Sequence, residues 1–354
     1  MSDYKQVLQQ EIQDLRNKVA AAEKDMPEEM LLKVNKDIVA LERSVELGSY
    51  DEKYEKVSRY ITWVLKVPWK AESQDTLDLE KTKRIFEEHH FGMQDVKDRF
   101  LEYVSVLNLR KSQFADQEFK APILLLVGLV GTGKTTFAYS LADALERKLV
   151  RIPFGGMGSA KELRGDSRLV LGAEPGKVIK GVCEAGVRNP IILLDEIDRV
   201  AKEANRDIMG VLVELLDPAQ NHSFVDNFID YPIDLSHAIF LATANNTVDV
   251  ATAVMDRMEK IAMPSYTDEE KIVIAKRYVM PGLLEDAGLK PEQLVIEEGL
   301  WRTMTRPLGY DAGIRTLQRT LHGVVRKAAR IIVEKGYPKV HVTKENSKIF
   351  LPTF

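Results

Sequence analysis

Eight consecutive residues, Gly128-Leu129-Val130-Gly131-Thr132-Gly133-Lys134-Thr135, fit the phosphate-binding spacing G-x-x-x-x-G-K-[ST]. Glycines at these places let backbone N–H groups converge on phosphate oxygens, and a following helix adds its partial positive charge. Lys134 then reaches the outer phosphates, and the Thr135 hydroxyl supplies an oxygen ligand for Mg²⁺. The candidate contacts to a bound triphosphate are Gly128, Val130, Gly131, Thr132, Gly133, Lys134, Thr135 and Thr136.

About sixty residues later comes Ile191-Ile192-Leu193-Leu194-Asp195-Glu196-Ile197-Asp198. Four apolar residues predict a buried strand with Asp195 at its carboxyl end, where ligands collect in parallel sheets. Asp195 suits the Mg²⁺ shell, and Glu196 suits polarisation of an attacking water. Asp198 reads as a solvated helix-cap residue. A third strand-like run ends in Thr243-Ala244-Asn245-Asn246. Asn245 could present an amide to a phosphate or to the water; the Asn pair equally suits a turn. Arg257 and Arg315 are candidates for neutralising charge that spreads over a transferring phosphoryl group. By spacing alone, each serves as well as a surface arginine.

The elements that must position these residues follow from the pattern. Apolar runs at Ile123–Val127, Leu149–Ile152, Ile191–Leu194 and Ile239–Thr243 alternate with helical spacing, which predicts an α/β fold with a mostly parallel sheet and flanking helices. Before it, Val7, Ile12, Leu15 and Val19, then Leu31, Val34, Ile38, Leu41 and Val45, mark two helices that end at Gly48. A third helix spans 51–67, and the tryptophans Trp63 and Trp69 read as packing anchors. Lys70 to Thr76 is polar and turn-like. Helices are expected from Leu79 to His89 and from Gln94 to Arg110, and 111–120 reads as a polar linker. His89 and His90 lack a third ligand at metal spacing and read as surface or cleft residues. After Pro264, Thr267 followed by Glu270 forms a capping box opening a helix through about Tyr278. Helical patterns at 297–306 and 312–335 and a short strand at Val340–Val342 complete a smaller helical domain. The expected division is 1–72 (helical), 73–264 (nucleotide-binding) and 265–354 (helical lid).

Among 354 residues the net charge is −4, so no global field draws the chain to nucleic acid or to an anionic membrane. Cys183 is the single cysteine, which excludes an internal disulfide and a multi-cysteine zinc site. No apolar stretch approaches a membrane span, and the start of the chain has no signal-peptide core. These features point to the cytoplasm.

The loop Gly128–Thr135, the acidic strand Leu193–Asp198, Asn245, Asp256-Arg257 and Gly313-Ile314-Arg315 together resemble a AAA+ P-loop ATPase. More narrowly, the chain resembles the ATPase portion of Lon-type proteases. The strings that carry this are 165–176, Leu215-Leu216-Asp217-Pro218-Ala219-Gln220-Asn221, Met255-Asp256-Arg257-Met258-Glu259, Trp63–Trp69 and His90-Phe91-Gly92-Met93-Gln94-Asp95-Val96. The resemblance implies that Phe91 and Gly92 border an adenine pocket. It makes Asn245 and Arg315 sensors of the γ-phosphate, and Arg257 an arginine finger reaching a neighbouring subunit. It further implies ATP and Mg²⁺, a homo-oligomeric ring of six, and an unfolded polypeptide gripped near Val170 and Leu171. Residues 1–72 resemble the end of the family's substrate-engaging region.

Three departures stand out. Leu129-Val130 replaces a pair of prolines common in such loops. Val170 replaces an aromatic residue, leaving less area for contact with polypeptide. The chain also ends at Phe354, about where a Ser–Lys protease domain would follow, and the adjacent Ser347 and Lys348 cannot form that dyad. The expected function is an ATP-driven protein unfoldase and translocase with no peptidase site in this chain, which is then either an excised fragment or a stand-alone ATPase whose peptidase is absent or lies on another chain. The alternative is a stand-alone AAA+ chaperone or a nucleotide-switched loader acting on nucleic acid.

Overall fold

Aliphatic runs bounded by turn formers become the strands of the central sheet. The structure, a computed structural model, describes residues 2–46, 51–113, 122–305 and 312–351. The expected helix break at Gly48, most of the linker at 114–120, the helix end at residue 306 and the last residue Phe354 lie outside the described residues. Nine strands occur among the described residues: β1 (Ile123–Val127), β2 (Leu149–Pro153), β3 (Ile191–Asp195), β4 (Phe224–Val225), β5 (Pro232–Ile233), β6 (Ile239–Ala244), β7 (Met258–Ala262), β8 (Leu294–Ile296) and β9 (Val340–Val342). The main sheet runs β2-β3-β6-β1-β7. Its pairs β2–β3 and β3–β6 are parallel. Every residue of β3 and β6 is buried, as expected for strands covered on both faces.

β7 was not legible in the sequence. Its Met-Glu-Lys-Ile-Ala run is mostly exposed and lies at the sheet edge beside β1, where charged side chains guard the unpaired backbone groups.

Contacts divide the chain into two units. The first comprises Met1–Asp78, Tyr103–Leu125 and Leu141–Lys260. Its amino-terminal helices Ser2–Ala21, Glu28–Glu46 and Asp51–Lys66 bury stripes at helical spacing, with Met30, Val34, Ile38 and Leu41 fully enclosed. In the first helix the buried stripe is Leu8, Ile12, Leu15 and Val19. Val7, expected on that face, is 55% exposed, since the spacing that closes on Ile12 is four residues rather than five. Trp69 packs edge-on against Tyr231 and donates its indole N–H to the Val64 carbonyl. The stretch after it has no regular structure, yet it is firmly held. Arg147 grips Asp75 through Nε and Nη2 (2.6 and 2.8 Å), Asn189 binds Ser73, and Arg188 binds Glu72.

The second unit comprises Leu79–Glu102, Leu126–Ser140 and Ile261–Phe354. The capping box of Thr267 and Glu270 forms as expected, opening the helix Asp268–Ile274. A π-helical segment, Ala275–Val279, then leads into the helix Met280–Asp286. The long helix Arg315–Lys335 buries Leu317, Leu321, Val324, Val325 and Ala328 along one face. Phe86, Phe100 and Phe137 form a fully buried ring cluster, with centroids 5.4 to 5.8 Å apart.

His90 belongs to this cluster and is neither a surface nor a cleft residue. Its ring stacks on Phe137 at 3.7 Å, and Nε2 hydrogen-bonds the Ser140 hydroxyl at 2.9 Å. Burial first, then His89 and Lys97, pushes its pKa from 6.5 down to about 3. The folded imidazole is therefore neutral, while the unfolded chain takes up a proton near 6.5. Stability from this group is complete above that value and is lost as the pH falls toward about 3. His90→Phe keeps a ring on Phe137, and we expect it to flatten this slope. Urea midpoints measured from about pH 7.5 down to about pH 5 test it.

Candidate nucleotide site

The candidate residues fall into two sets, one in each unit. In the second unit the glycine loop leads into the helix Lys134–Leu145. Gly131 and Gly133 have φ of +82° and +92°, in the left-handed region that glycine enters without steric cost. Lys134 is only 7% exposed, and its ammonium donates to the Gly128 and Leu129 carbonyls at 2.6 and 3.0 Å. Thr132 and Thr136 brace the loop through their hydroxyls, to the carbonyls of Leu129 and Gly133. Thr135, the candidate metal ligand, is half-buried at the helix start.

The lid sequence Gly313-Ile314-Arg315 lies directly on this loop. The Ile314 N–H donates to the Gly131 carbonyl at 3.1 Å, and a Cβ on Gly313 would come within 2.4 Å of the Val130 carbonyl. Only glycine fits there. Arg315 is the first residue of its helix, with its side chain exposed. Tyr266 supports the arrangement, its N–H donating to the Ala312 carbonyl and its hydroxyl to the Thr132 carbonyl. Burial, then Glu270, pushes the Tyr266 phenol up to about 12, so it remains a donor. Gly92 has φ +67°, and Phe91 beside it is half-buried. A Cβ on Gly92 would lie 2.8 Å from Oε1 of Glu270, the capping-box glutamate.

In the first unit the register of β3 on β6 sets the chemistry. Leu194 pairs with Ala242, leaving Asp195 and Thr243 as the next residues on the two strands. The Thr243 hydroxyl donates to Asp195 Oδ1 at 2.6 Å and accepts the Glu196 N–H at 2.8 Å. Arg151, across on β2, donates to Asp195 Oδ2 through Nε at 2.8 Å and Nη2 at 2.5 Å. Asp195 is 3% exposed, and Glu196 is half-buried with φ +58°. Asp198 is buried rather than solvated, and its Oδ2 accepts from the backbone and side-chain N–H groups of Asn246. Asn246 is the turn former of the Asn pair, accepting the Val248 N–H. Asn245 is half-buried just beyond β6.

Arg257 reaches Asp217 Oδ2 at 3.1 Å and the Ala253 carbonyl at 2.6 Å. The Ala219 N–H, then Arg257 and Gln220, hold the Asp217 carboxyl below the usual carboxylate range. This joins two strings that are distant in sequence.

The stretch 165–176 forms a loop closed at its base. A Cβ on Gly165 would lie 2.8 Å from the Gly176 nitrogen, and buried Asp226 accepts N–H groups from Gly176, Phe228 and Ile229. Arg168 pairs with Asp37 at 2.9 Å and stacks 4.6 Å from the Tyr60 ring. The tip residues Leu169, Val170 and Leu171 are 80%, 53% and 67% exposed.

Arg151, Asp217 and Asp226 are neighbours of the candidate residues that sequence reasoning missed. Each touches its partner only through folding, and no local spacing announces it. The one available signal was the charged residue Arg151 at an exposed position of the alternating strand β2.

The donors fit Mg²⁺. Each set holds a hard oxygen of the kind this ion prefers, the Asp195 carboxylate in the first unit and the Thr135 hydroxyl in the second.

Residues 124–266 match the ATPase family associated with various cellular activities (AAA), and residues 285–341 match the Lon protease AAA+ ATPase lid domain. The chain is 38% identical over 349 residues to Lon protease 2 of Thermus thermophilus, covering 97% of this chain and 43% of that protein. It is 39% identical over 343 residues to Lon protease of Heliobacterium modesticaldum, covering 97% and 41%. With Lon protease 1 of Bacillus subtilis the identity is 38% over 341 residues, covering 96% and 43%. The chain thus spans less than half the length of the curated relatives it matches. The two family matches follow one another in the order the glycine loop and Gly313-Ile314-Arg315 imply, so this chain carries a Lon-type AAA+ ATPase module.

Proposed function

We propose that this chain is the motor of a homohexameric ring that unfolds polypeptide and threads it through a pore, driven by ATP hydrolysis. The observation that carries the ATP reading is the contact of Gly313-Ile314-Arg315 on the left-handed glycine loop, which begins the lid helix at the phosphate-binding backbone. The division proposed is a helical segment at 1–72, a nucleotide-binding domain at 73–264 and a lid at 265–354. The proposed location is the cytoplasm, and the proposed partners are unfolded protein and a peptidase.

In this reading the N–H groups of the loop, with Lys134, bind the outer phosphates, while Phe91 and Gly92 border the adenine. Asp195 and the Thr135 hydroxyl would hold Mg²⁺, which when bound neutralises charge on the phosphate oxygens. The Glu196 carboxylate accepts a proton from the attacking water. Asn245 orients that water or the γ-phosphate with its amide. Arg315 senses the γ-phosphate from the lid, and Arg257 donates to the transferring group on a neighbouring copy. The exposed aliphatic tip Leu169–Leu171 contacts the polypeptide.

Glu196→Gln is expected to bind ATP as the wild type does and to lose turnover by about 100-fold or more. Fluorescent-nucleotide binding and phosphate release measure the two, and a wild-type rate would remove Glu196 from its role. The ring has its own test. Arg257→Ala and Glu196→Gln chains should each be inactive alone and regain ATPase activity when mixed, because each supplies what its neighbour lacks. No recovery on mixing argues against a shared site. Stimulation of the ATPase by an unfolded protein supports the threading role, whereas stimulation by DNA favours the loader.

A further inference from the structure

We infer that Thr243 is a positioning residue that couples the two carboxylates of the hydrolysis site, a role that rests on the reading of Asp195 and Glu196 given above. The case is geometric. Thr243 is fully buried at the carboxyl end of β6. A hydroxyl has one proton to give and lone pairs to accept with. Here the proton goes to Asp195 Oδ1 at 2.6 Å, and a lone pair takes the Glu196 N–H at 2.8 Å. The single oxygen therefore fixes the metal-side carboxylate by its side chain and the base-side residue by its backbone.

Glu196 needs that hold. Its φ of +58° and ψ of +52° lie in the left-handed region, which a residue with a Cβ enters only at a steric cost. This conformation ends β3 at Asp195 and turns the chain into the short 3-10 turn Ile197–Arg199. The Thr243 hydrogen bond acts at that bend. The Arg199 N–H donates to the Glu196 carbonyl at 2.9 Å and secures the other side of the residue. Asp195 is likewise held from two sides, since Arg151 takes its Oδ2. Freed of Thr243, the carboxylate could rotate about that arginine, and Glu196 could relax toward ordinary backbone geometry.

Valine matches threonine in shape and lacks the hydroxyl, whereas serine keeps the hydroxyl and lacks the methyl. In the full chain, Thr243→Val is expected to lower kcat roughly 10- to 100-fold. Affinity for a fluorescent ATP analogue should stay within about twofold, because the Thr243 hydroxyl spends its hydrogen bonds on Asp195 and Glu196. Thr243→Ser should restore most of the turnover. Placed on Glu196→Gln, the valine should cost clearly less than it does alone, since one of the two groups it positions is already disabled. Should the valine chain fail to fold by circular dichroism, Thr243→Cys carries the same comparison with a weak donor of similar size.

The inference is overturned if the hydroxyl-free variant turns over at the wild-type rate while Glu196→Gln is inactive. It is also overturned if its loss multiplies fully with that of Glu196→Gln, or if ATP affinity falls in step with kcat. If instead Glu196→Gln hydrolyses ATP like the wild type, the reading of the site falls, and the role of Thr243 falls with it.

Discussion

The pairing of β3 with β6 is the constraint on which the hydrolysis half of this module depends. In two parallel strands buried on both faces, any change of register would repack every side chain at once. The observed register sets Leu194 opposite Ala242 and brings the polar ends of both strands out together. Asp195, Glu196 and Asp198 then find their partners on the neighbouring strand and the turn that follows it. A slip of one residue would point Asp195 into the opposite face, and no local adjustment could restore the contacts. The apolar core thus acts as a ruler for a handful of polar atoms at its edge.

A different principle governs the phosphate loop. There the decisive contact is backbone against backbone, between Gly131 and the lid turn at Gly313-Ile314. Side chains would hold the two segments apart, so small size supplies the affinity. The same economy of size leaves the loop carbonyls of Gly128 and Leu129 within reach of the Lys134 ammonium. Main-chain geometry thus sets how the loop meets the first turn of the lid helix.

Much of this was legible in the sequence, for identifiable reasons. Strands buried on both faces appear as unbroken aliphatic runs, so β1, β3 and β6 could be read to within a residue or two. The capping box at Thr267 is a purely local device and formed as written. Edge strand β7 was hidden, because its exposed glutamate and lysine carry no apolar signature. In the first helix, Val7 and Leu8 are both apolar, and only packing decides which faces inward. Asp198 reads as solvated because carboxylates usually are, and His90 as a surface or cleft residue because no third ligand sits at metal spacing. Their burial follows from Asn246 and from Phe137 with Ser140, partners that lie about fifty residues away. The site was readable where motif spacing carried it and opaque where a residue such as Arg151 reaches its partner across the sheet.

The loop at 165–176 has a stem clamped by Asp226 and one flank tied to Tyr60 and Asp37 through Arg168. A stalk fixed in this manner bends little along its own length. Asp37 belongs to the helix Glu28–Glu46 and Tyr60 to the helix Asp51–Lys66, so a single arginine staples the exposed tip to two amino-terminal helices at once.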